Sequence, residues 1–538
     1  MNVRRFPSPA NGSSRGDSRR GGGSGAALSR ALAATPWGIE ALPVEVEVDV
    51  RNGLPGTQLV GLPDTAVRES RERVRAAIHH AGFKLPGRAV VINLAPADLR
   101  KEGNHLDLAI ALALLAGHDL LPRDALAGRL LCGELGLDGA VRPVRGALAI
   151  AELARRQGVR ELLLPSPNAT QAACLDGCTA IPLRSLSEAV EHLVGVRTIR
   201  PATPVLGDDL AGAGAAPDLA EVAGQELARR ALEIAAAGGH NLLMVGPPGS
   251  GKTMLARRLP GILPPLERHE AITITNIHSL TGRRARAGLM GRRPFRSPHS
   301  GISAAGLIGG GPIPRPGEVS LAHGGVLFLD ELPEFRRDVL ESLRQPLEDG
   351  RVWIARARAR LSFPARFALV AAMNPCPCGY LDDPRHDCRC SPAAVARYGG
   401  RISGPLLDRI DLHVGVHAVR LDELRGARGE ASAEVATRVL AARALQHRRN
   451  GDGPRGEPRL NSSLGPARIH VLCAPEPAGQ RILERAFDAL GLSVRSLHRI
   501  LRVARTIADL DEAPRVTARH VAEAIQFRAG EEGTAPPA

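Results

Sequence analysis

The sequence predicts a multidomain α/β protein, and three features carry that prediction. Residues 246–253 (GPPGSGKT) lie between an apolar run, 241–245, and a helix-compatible segment, 254–258. Two further apolar runs, 325–331 and 367–374, close on polar residues and read as buried strands. Far upstream, residues 44–50 (VEVEVDV) alternate strictly, which marks a half-buried strand in a different domain.

Length and composition bound the rest. The 538 residues supply material for roughly three to four domains, and 44% hydrophobic content is enough to build real cores. The longest apolar stretches, such as 108–117, stop well short of the roughly 20 residues a membrane span needs. The N-terminus has no apolar segment of the secretory kind, so it does not read as a signal peptide. Of eight cysteines, four fall between 376 and 390, which is no disulfide framework. These features predict a cytoplasmic protein with no membrane partner.

The formal charge of +14 invites a polyanionic partner, yet only three of the 70 basic residues are lysines, Lys84, Lys101 and Lys252. So strong an arginine bias is largely compositional, and basicity alone leaves nucleic-acid binding open. Lysine nevertheless persists at 252, where a compact point charge is needed and a planar guanidinium is no substitute.

Taken in order, residues 1–26 are rich in Gly, Ser and Arg with little to bury, and a disordered extension is expected. A compact α+β domain follows over 27–197. In it, Asp64 is placed to cap a helix reaching His80 with Val67, Val74 and Ile78 inward; 89–94 reads as a strand, 106–115 as a buried helix, 136–139 as a hairpin turn and 147–157 as a helix. Residues 198–217 form a Pro- and Gly-rich linker. A core domain holding the 246–253 loop is expected over 218–420, helices over 421–530 and a frayed tail over 531–538.

The core's chemistry begins at 246–253, which satisfies G-x-x-x-x-G-K-[ST] in the strand, loop, helix context the pattern requires. Gly246, Pro247, Pro248, Gly249, Ser250 and Gly251 form a tight loop whose N–H groups can face phosphate oxygens, with the positive end of the following helix behind them. Lys252 is expected on the β- and γ-phosphates of ATP and Thr253 on Mg²⁺. Asp330 completes the Mg²⁺ environment, and Glu331 orients or deprotonates the attacking water. Asn374, at the end of its strand, is placed to meet the γ-phosphate or that water.

Cys376, Cys378, Cys388 and Cys390 form two C-x-C pairs nine residues apart. Such a cluster fits either a tetrahedral Zn²⁺ site or four reduced thiols, with His386 a further, unneeded candidate ligand. Residues 283–296 hold six arginines and no acid, and 351–366, which read as a β-hairpin, hold five and no acid. Each set fits a path for a DNA backbone or ordinary exposed arginine. Arg495, Arg499, Arg502 and Arg505 would share one helix face.

The runs 293–299 (RPFRSPH), 309–323 (GGGPIPRPGEVSLAH), 325–335 and 371–379 (AAMNPCPCG) resemble the Mg-chelatase-like AAA+ ATPases of the ComM (YifB) group, and the similarity extends from about residue 27 to about residue 527. The resemblance implies a homo-hexameric ring with ATP sites between subunits and a C-terminal helical lid. It implies that Arg409, in 404–411 (GPLLDRID), is an arginine finger, that Arg495 is the sensor-2 arginine, and that Gly224 and Gln225 lie on the adenine side. It also implies an N-terminal domain of the Lon-protease-like, ribosomal-S5 type; there the protease's nucleophile position falls near His105 and its lysine near Ile150, so a noncatalytic domain is expected. Ser300 departs from the family's second histidine. The implied function is an ATP-driven DNA motor, a branch-migration helicase acting in natural transformation with recombination proteins as partners. A magnesium-chelatase motor and a protein-remodelling ATPase are the competing readings.

Overall fold

The computed structural model describes residues 27–99, 101, 103–205, 217–281, 288–311, 314–356, 359–419, 429–453 and 459–528. The expected N-terminal extension and C-terminal tail, most of the linker, and Arg283, Arg284, Arg286 and Arg358 lie outside them. The chain divides into two compact units: residues 1–209 with 278–289, and residues 210–277 with 290–538. The described residues 278–281 and 288–289, which fall within the span expected for the ATPase core, group with the first unit. Among the described residues, no helix is long and apolar enough to cross a membrane.

The first unit is built on a seven-stranded mixed sheet. Its strands are β1 (Ala27–Trp37), β2 (Glu40–Arg51), β3 (Gly56–Val60), β4 (Ala89–Ala95), β5 (Arg129–Leu131), β6 (Glu161–Pro165) and β7 (Ala180–Leu183), in the order β3-β4-β2-β1-β5-β6-β7. The alternating run lies in β2, with Val44, Val46 and Val48 fully buried. β1 has no such pattern, four of its eleven residues being alanine, and is held as a strand by its antiparallel register on β2 from Ala27↔Val50 to Trp37↔Glu40. Pairing here overrides weak local preference.

Helix α1 (Thr65–His80) starts where Asp64 accepts the Val67 N–H at 2.7 Å, and it buries Val67, Val74 and Ile78. Helix α2 (Asp107–Gly117) is apolar on every side after its first residue and buried throughout, because it lies between α1 and strands β1 and β2. Its one charge, Asp107, is fully buried and receives the Arg73 guanidinium at 3.1 Å. Burial pushes the Asp107 carboxyl up, and Arg73 works against that shift. Arg73→Ala strands this carboxylate, so a loss of about 3–5 kcal/mol in the urea unfolding free energy is expected, whereas a surface arginine such as Arg123 should cost well under 1 kcal/mol.

The second unit contains a five-stranded sheet: β8 (Leu242–Val245), β9 (Phe295–Arg296), β10 (Val326–Leu329), β13 (Ala368–Met373) and β14 (Leu412–Gly415), in the order β9-β10-β13-β8-β14. Every pairing in it is parallel. The predicted hairpin is present as β11 (Arg351–Arg356) paired antiparallel with β12 (Ala359–Pro364). Helices α3 (Glu226–Gly238), α5 (Ser432–Asn450), α6 (Val494–Leu510) and α7 (Ala518–Gln526) share one core with the sheet. A buried polar chain ties the sheet to α6: His240 at the foot of β8 bonds Asp411 at 2.8 Å and Thr506 of α6 at 2.8 Å.

Candidate nucleotide site

Three adjacent strands deliver the site from their carboxyl ends, which is where open parallel sheets bind ligands. β8 runs into the loop 246–251 and then the short helix α4 (Lys252–Ala256). Gly246 passes so close to the Val416 carbonyl beyond β14 that no side chain fits there. β13 ends on Asn374, and β10 ends on Asp330 and Glu331.

The side chains converge. Lys252 is buried, and its Nζ donates to the Gly246 and Pro247 carbonyls at 2.7 and 2.8 Å and to Asn374 Oδ1 at 3.3 Å. Burial pulls the Lys252 ammonium down from the ordinary lysine range, while Asp330 and Glu331 oppose that shift. Thr253 Oγ1 donates to Asp330 Oδ2 at 2.7 Å. The backbone N–H of Glu331 donates to the other Asp330 oxygen at 3.0 Å. Glu331 has φ 53°, a left-handed conformation costly for a non-glycine residue, and its side chain is exposed beyond the strand end.

This donor set fits a nucleoside triphosphate with Mg²⁺. A hydroxyl and a carboxylate already in contact are hard oxygen ligands of the kind Mg²⁺ takes, and a buried ammonium stands beside them. Gln225 precedes α3 with φ 56°, and its side-chain amide donates to the His417 carbonyl and, at 3.5 Å, to that of Ser250. It therefore links the loop to the chain beyond β14.

Arg409 and Arg495 form a second group. The Arg409 guanidinium is tied to Glu348, in the short helix Arg344–Asp349, and to the Pro405 carbonyl at 2.6 Å, with its Nε buried and unpartnered. Asn241, at the start of β8, holds the Arg409 carbonyl at 2.7 Å and so fixes its backbone to the sheet. Arg495 is exposed and reaches Asp408 at 3.5 Å. Among the described residues, the side-chain polar partners of both arginines lie outside the phosphate loop.

Two arginine readings need correction. The arginine face of α6 is neither free nor solvated after Arg495: Arg499 faces Asp408 and Asp411, Arg502 bonds the Leu464 carbonyl at 2.6 Å, and Arg505 is paired with Asp509 at 3.0 Å. In 283–296, Arg293 is bound to Glu270 at 2.9 Å and Arg296 to Glu318 at 2.6 Å, so neither is available to a DNA backbone. His386 pairs with Asp383 at 3.0 Å and stands apart from the cysteine group. The expected nucleophile and lysine positions hold His105 and Ile150, both buried. One contributor went unnoticed: burial pushes the Tyr398 phenol up to about 12, with Glu334 and Glu331 nearby, while the neighbouring Asn374 backbone N–H works against the shift. It gave no sequence signal because it lies in a different helix, Pro392–Gly399.

Residues 218–424 match the family model for magnesium chelatase, subunit ChlI; residues 46–168 match that for subunit ChlI of Mg-chelatase; and residues 429–528 match the ChlI C-terminal model. The chain is 45% identical over 497 residues to the uncharacterized protein YifB of Salmonella typhimurium, covering 91% of this chain and 95% of that protein. It is 44% identical over 494 residues to YifB of Escherichia coli, covering 91% and 95%. It is 44% identical over 496 residues to the competence protein ComM of Haemophilus influenzae, covering 91% and 96%. With the phosphate-loop site built from Lys252, Thr253 and Asp330, this similarity along almost the whole chain shows that it belongs to the YifB/ComM family of Mg-chelatase-like AAA+ proteins.

Proposed function

We propose that the protein is a cytoplasmic, ATP-hydrolysing hexameric motor that acts on DNA by moving branched junctions, in support of recombination of incoming DNA. The convergence of Lys252, Thr253, Asp330, Glu331 and Asn374 at three neighbouring strand ends carries the ATPase part. Lys252 exchanges its carbonyl partners for phosphate oxygens, and Thr253 and Asp330 hold Mg²⁺. When bound, Mg²⁺ neutralises charge on the β- and γ-oxygens. Glu331 would accept the proton of the attacking water, and Asn374, held on Lys252, would contact the γ-phosphate or that water. Arg409 of one subunit serves the site of the next, and Arg495 closes over the nucleotide from the helices after residue 429. In this reading those helices are a lid, the first unit is a Lon-protease-like binding domain without peptidase chemistry, and Cys376, Cys378, Cys388 and Cys390 are the place for a second metal, Zn²⁺.

The DNA part is supported by the hairpin and by the name of the Haemophilus relative, a competence protein. β11 and β12 bury Val352, Ile354, Leu361 and Phe363 on one face. The other face presents Trp353, 44% exposed, with the Arg351 guanidinium 5.7 Å from its ring centre. An exposed indole beside a cation suits stacking of an unpaired base. Trp353→Ala is expected to weaken single-stranded DNA binding about tenfold while leaving ATP binding unchanged, as read by fluorescence anisotropy. The function itself is tested by ATP turnover without DNA and with single-stranded, duplex and four-way-junction DNA, alongside sizing with and without nucleotide. Stimulation by junction DNA and nucleotide-dependent assembly are expected; stimulation by polypeptide instead of DNA would overturn the DNA part.

A further inference from the structure

The chain leaves β13 at Met373 and does not re-enter a helix until Pro392. Between these points the backbone has no regular structure, and from residue 381 to 391 no apolar side chain is buried, so no apolar core holds the loop. What gathers it is sulfur. The Sγ atoms of Cys376, Cys378, Cys388 and Cys390 all lie within 4.8 Å of one another. Cys376 stands 3.3 Å from Cys378 and 3.7 Å from Cys388, and Cys378 stands 3.6 Å from Cys388. A tetrahedron of thiolates around one Zn²⁺, with Zn–S bonds of about 2.3 Å, has edges of about 3.8 Å. The four thiols thus sit at the spacing of ligands around a single ion. Backbone N–H groups of Tyr380 and Arg389 lie close to the Cys378 sulfur, where such groups orient a metal-bound thiolate.

Both flanks of this cluster touch the nucleotide site. Two residues before Cys376 stands Asn374, bonded to Lys252. One residue after Cys378 stands Gly379, with φ 88°, packed so tightly on the phosphate loop that an added Cβ would lie 2.6 Å from Pro248 Cδ. On the far side of the loop, Arg385 donates to the Ala418 and Val419 carbonyls at 2.8 and 3.0 Å, on the chain that leaves β14. A crosslink among the four sulfurs therefore fixes the polar end of β13 and the outer wall of the phosphate loop as one piece.

We propose that Cys376, Cys378, Cys388 and Cys390 bind one Zn²⁺, and that this centre clamps the ATP site by setting Asn374 against Lys252 and Gly379 against Pro248. The clamp, though not the metal centre, rests on the reading that residues 246–253 bind ATP. With four thiolates and no open position, the ion is structural and takes no part in hydrolysis.

Metal analysis of the purified full-length protein should find about one zinc per chain. Replacement by Co²⁺ should give the charge-transfer and ligand-field bands of a tetrahedral thiolate site. Cys388→Ser with Cys390→Ser should abolish the zinc and raise the Kd of a fluorescent ATP analogue about tenfold, the scale expected when a phosphate-contacting group is displaced by a fraction of an ångström. Because that variant can also fold poorly, wild-type protein is stripped with a strong chelator and reloaded: ATP affinity should fall, then return with Zn²⁺ and not with Mg²⁺. A wild-type protein without zinc, or with iron in its place, overturns the metal centre. Unchanged ATP affinity after stripping overturns the clamp. A protein that holds zinc yet binds no ATP analogue overturns the ATP reading and the clamp together, while the zinc content still stands.

Discussion

Glu331→Gln is expected to bind ATP as tightly as wild type while losing about a thousandfold in turnover. The carboxylate stands beyond the strand end in a left-handed conformation, off the Thr253–Asp330 pair that would hold Mg²⁺. Its backbone N–H is anchored on Asp330, so the amide should occupy the same place while lacking a proton acceptor. Single-turnover hydrolysis and equilibrium binding of a fluorescent ATP analogue separate the two effects. A fall in affinity that matches the fall in turnover would mean that Glu331 organises the loop instead of acting on water.

Arg409→Ala should cost at least about a thousandfold in turnover, the scale at which arginine fingers operate. In the chain as described, Arg409 is engaged by Glu348 and the Pro405 carbonyl, and Asn241 fixes its backbone to the sheet. To serve a neighbouring site the guanidinium must leave Glu348, which is exposed and can be resolvated cheaply. Glu348→Gln should therefore leave turnover within a few-fold of wild type, in contrast to Arg409→Ala. Equal losses in both variants would place Arg409 in a structural ion pair and remove it from the chemistry.

The parts legible in the sequence are those in which local pattern and backbone geometry coincide. The phosphate loop needs glycines in fixed order, Asp64 caps α1 three residues before the amide it accepts, and the valines of β2 alternate because one face is buried. What was not legible depends on partners distant in the chain. Nothing in the alanines of β1 signals a strand until β2 lies beside it. The arginines of α6 share a helical face as the spacing implies, but Asp408 and Asp411 draw Arg499 inward from about 90 residues away, and only the structure shows it. Arg293 and Arg296 were misread for the same reason: their acids, Glu270 and Glu318, lie outside the segment counted as free of acid. Tyr398 gave no signal because its link to Asn374 crosses two elements.

The central claim is that each ATP site is shared between two subunits, with Lys252 from one and Arg409 from the next. Lys252→Ala and Arg409→Ala should each be nearly inactive alone. Mixed in equal amounts under assembling conditions, they should recover hydrolysis, because an Arg409→Ala subunit keeps its own Lys252 and can receive an intact Arg409 from a Lys252→Ala neighbour. Recovery to a measurable fraction of wild-type turnover is the predicted result. A mixture as inactive as its components, or an Arg409→Ala protein that is active alone, would contradict the account.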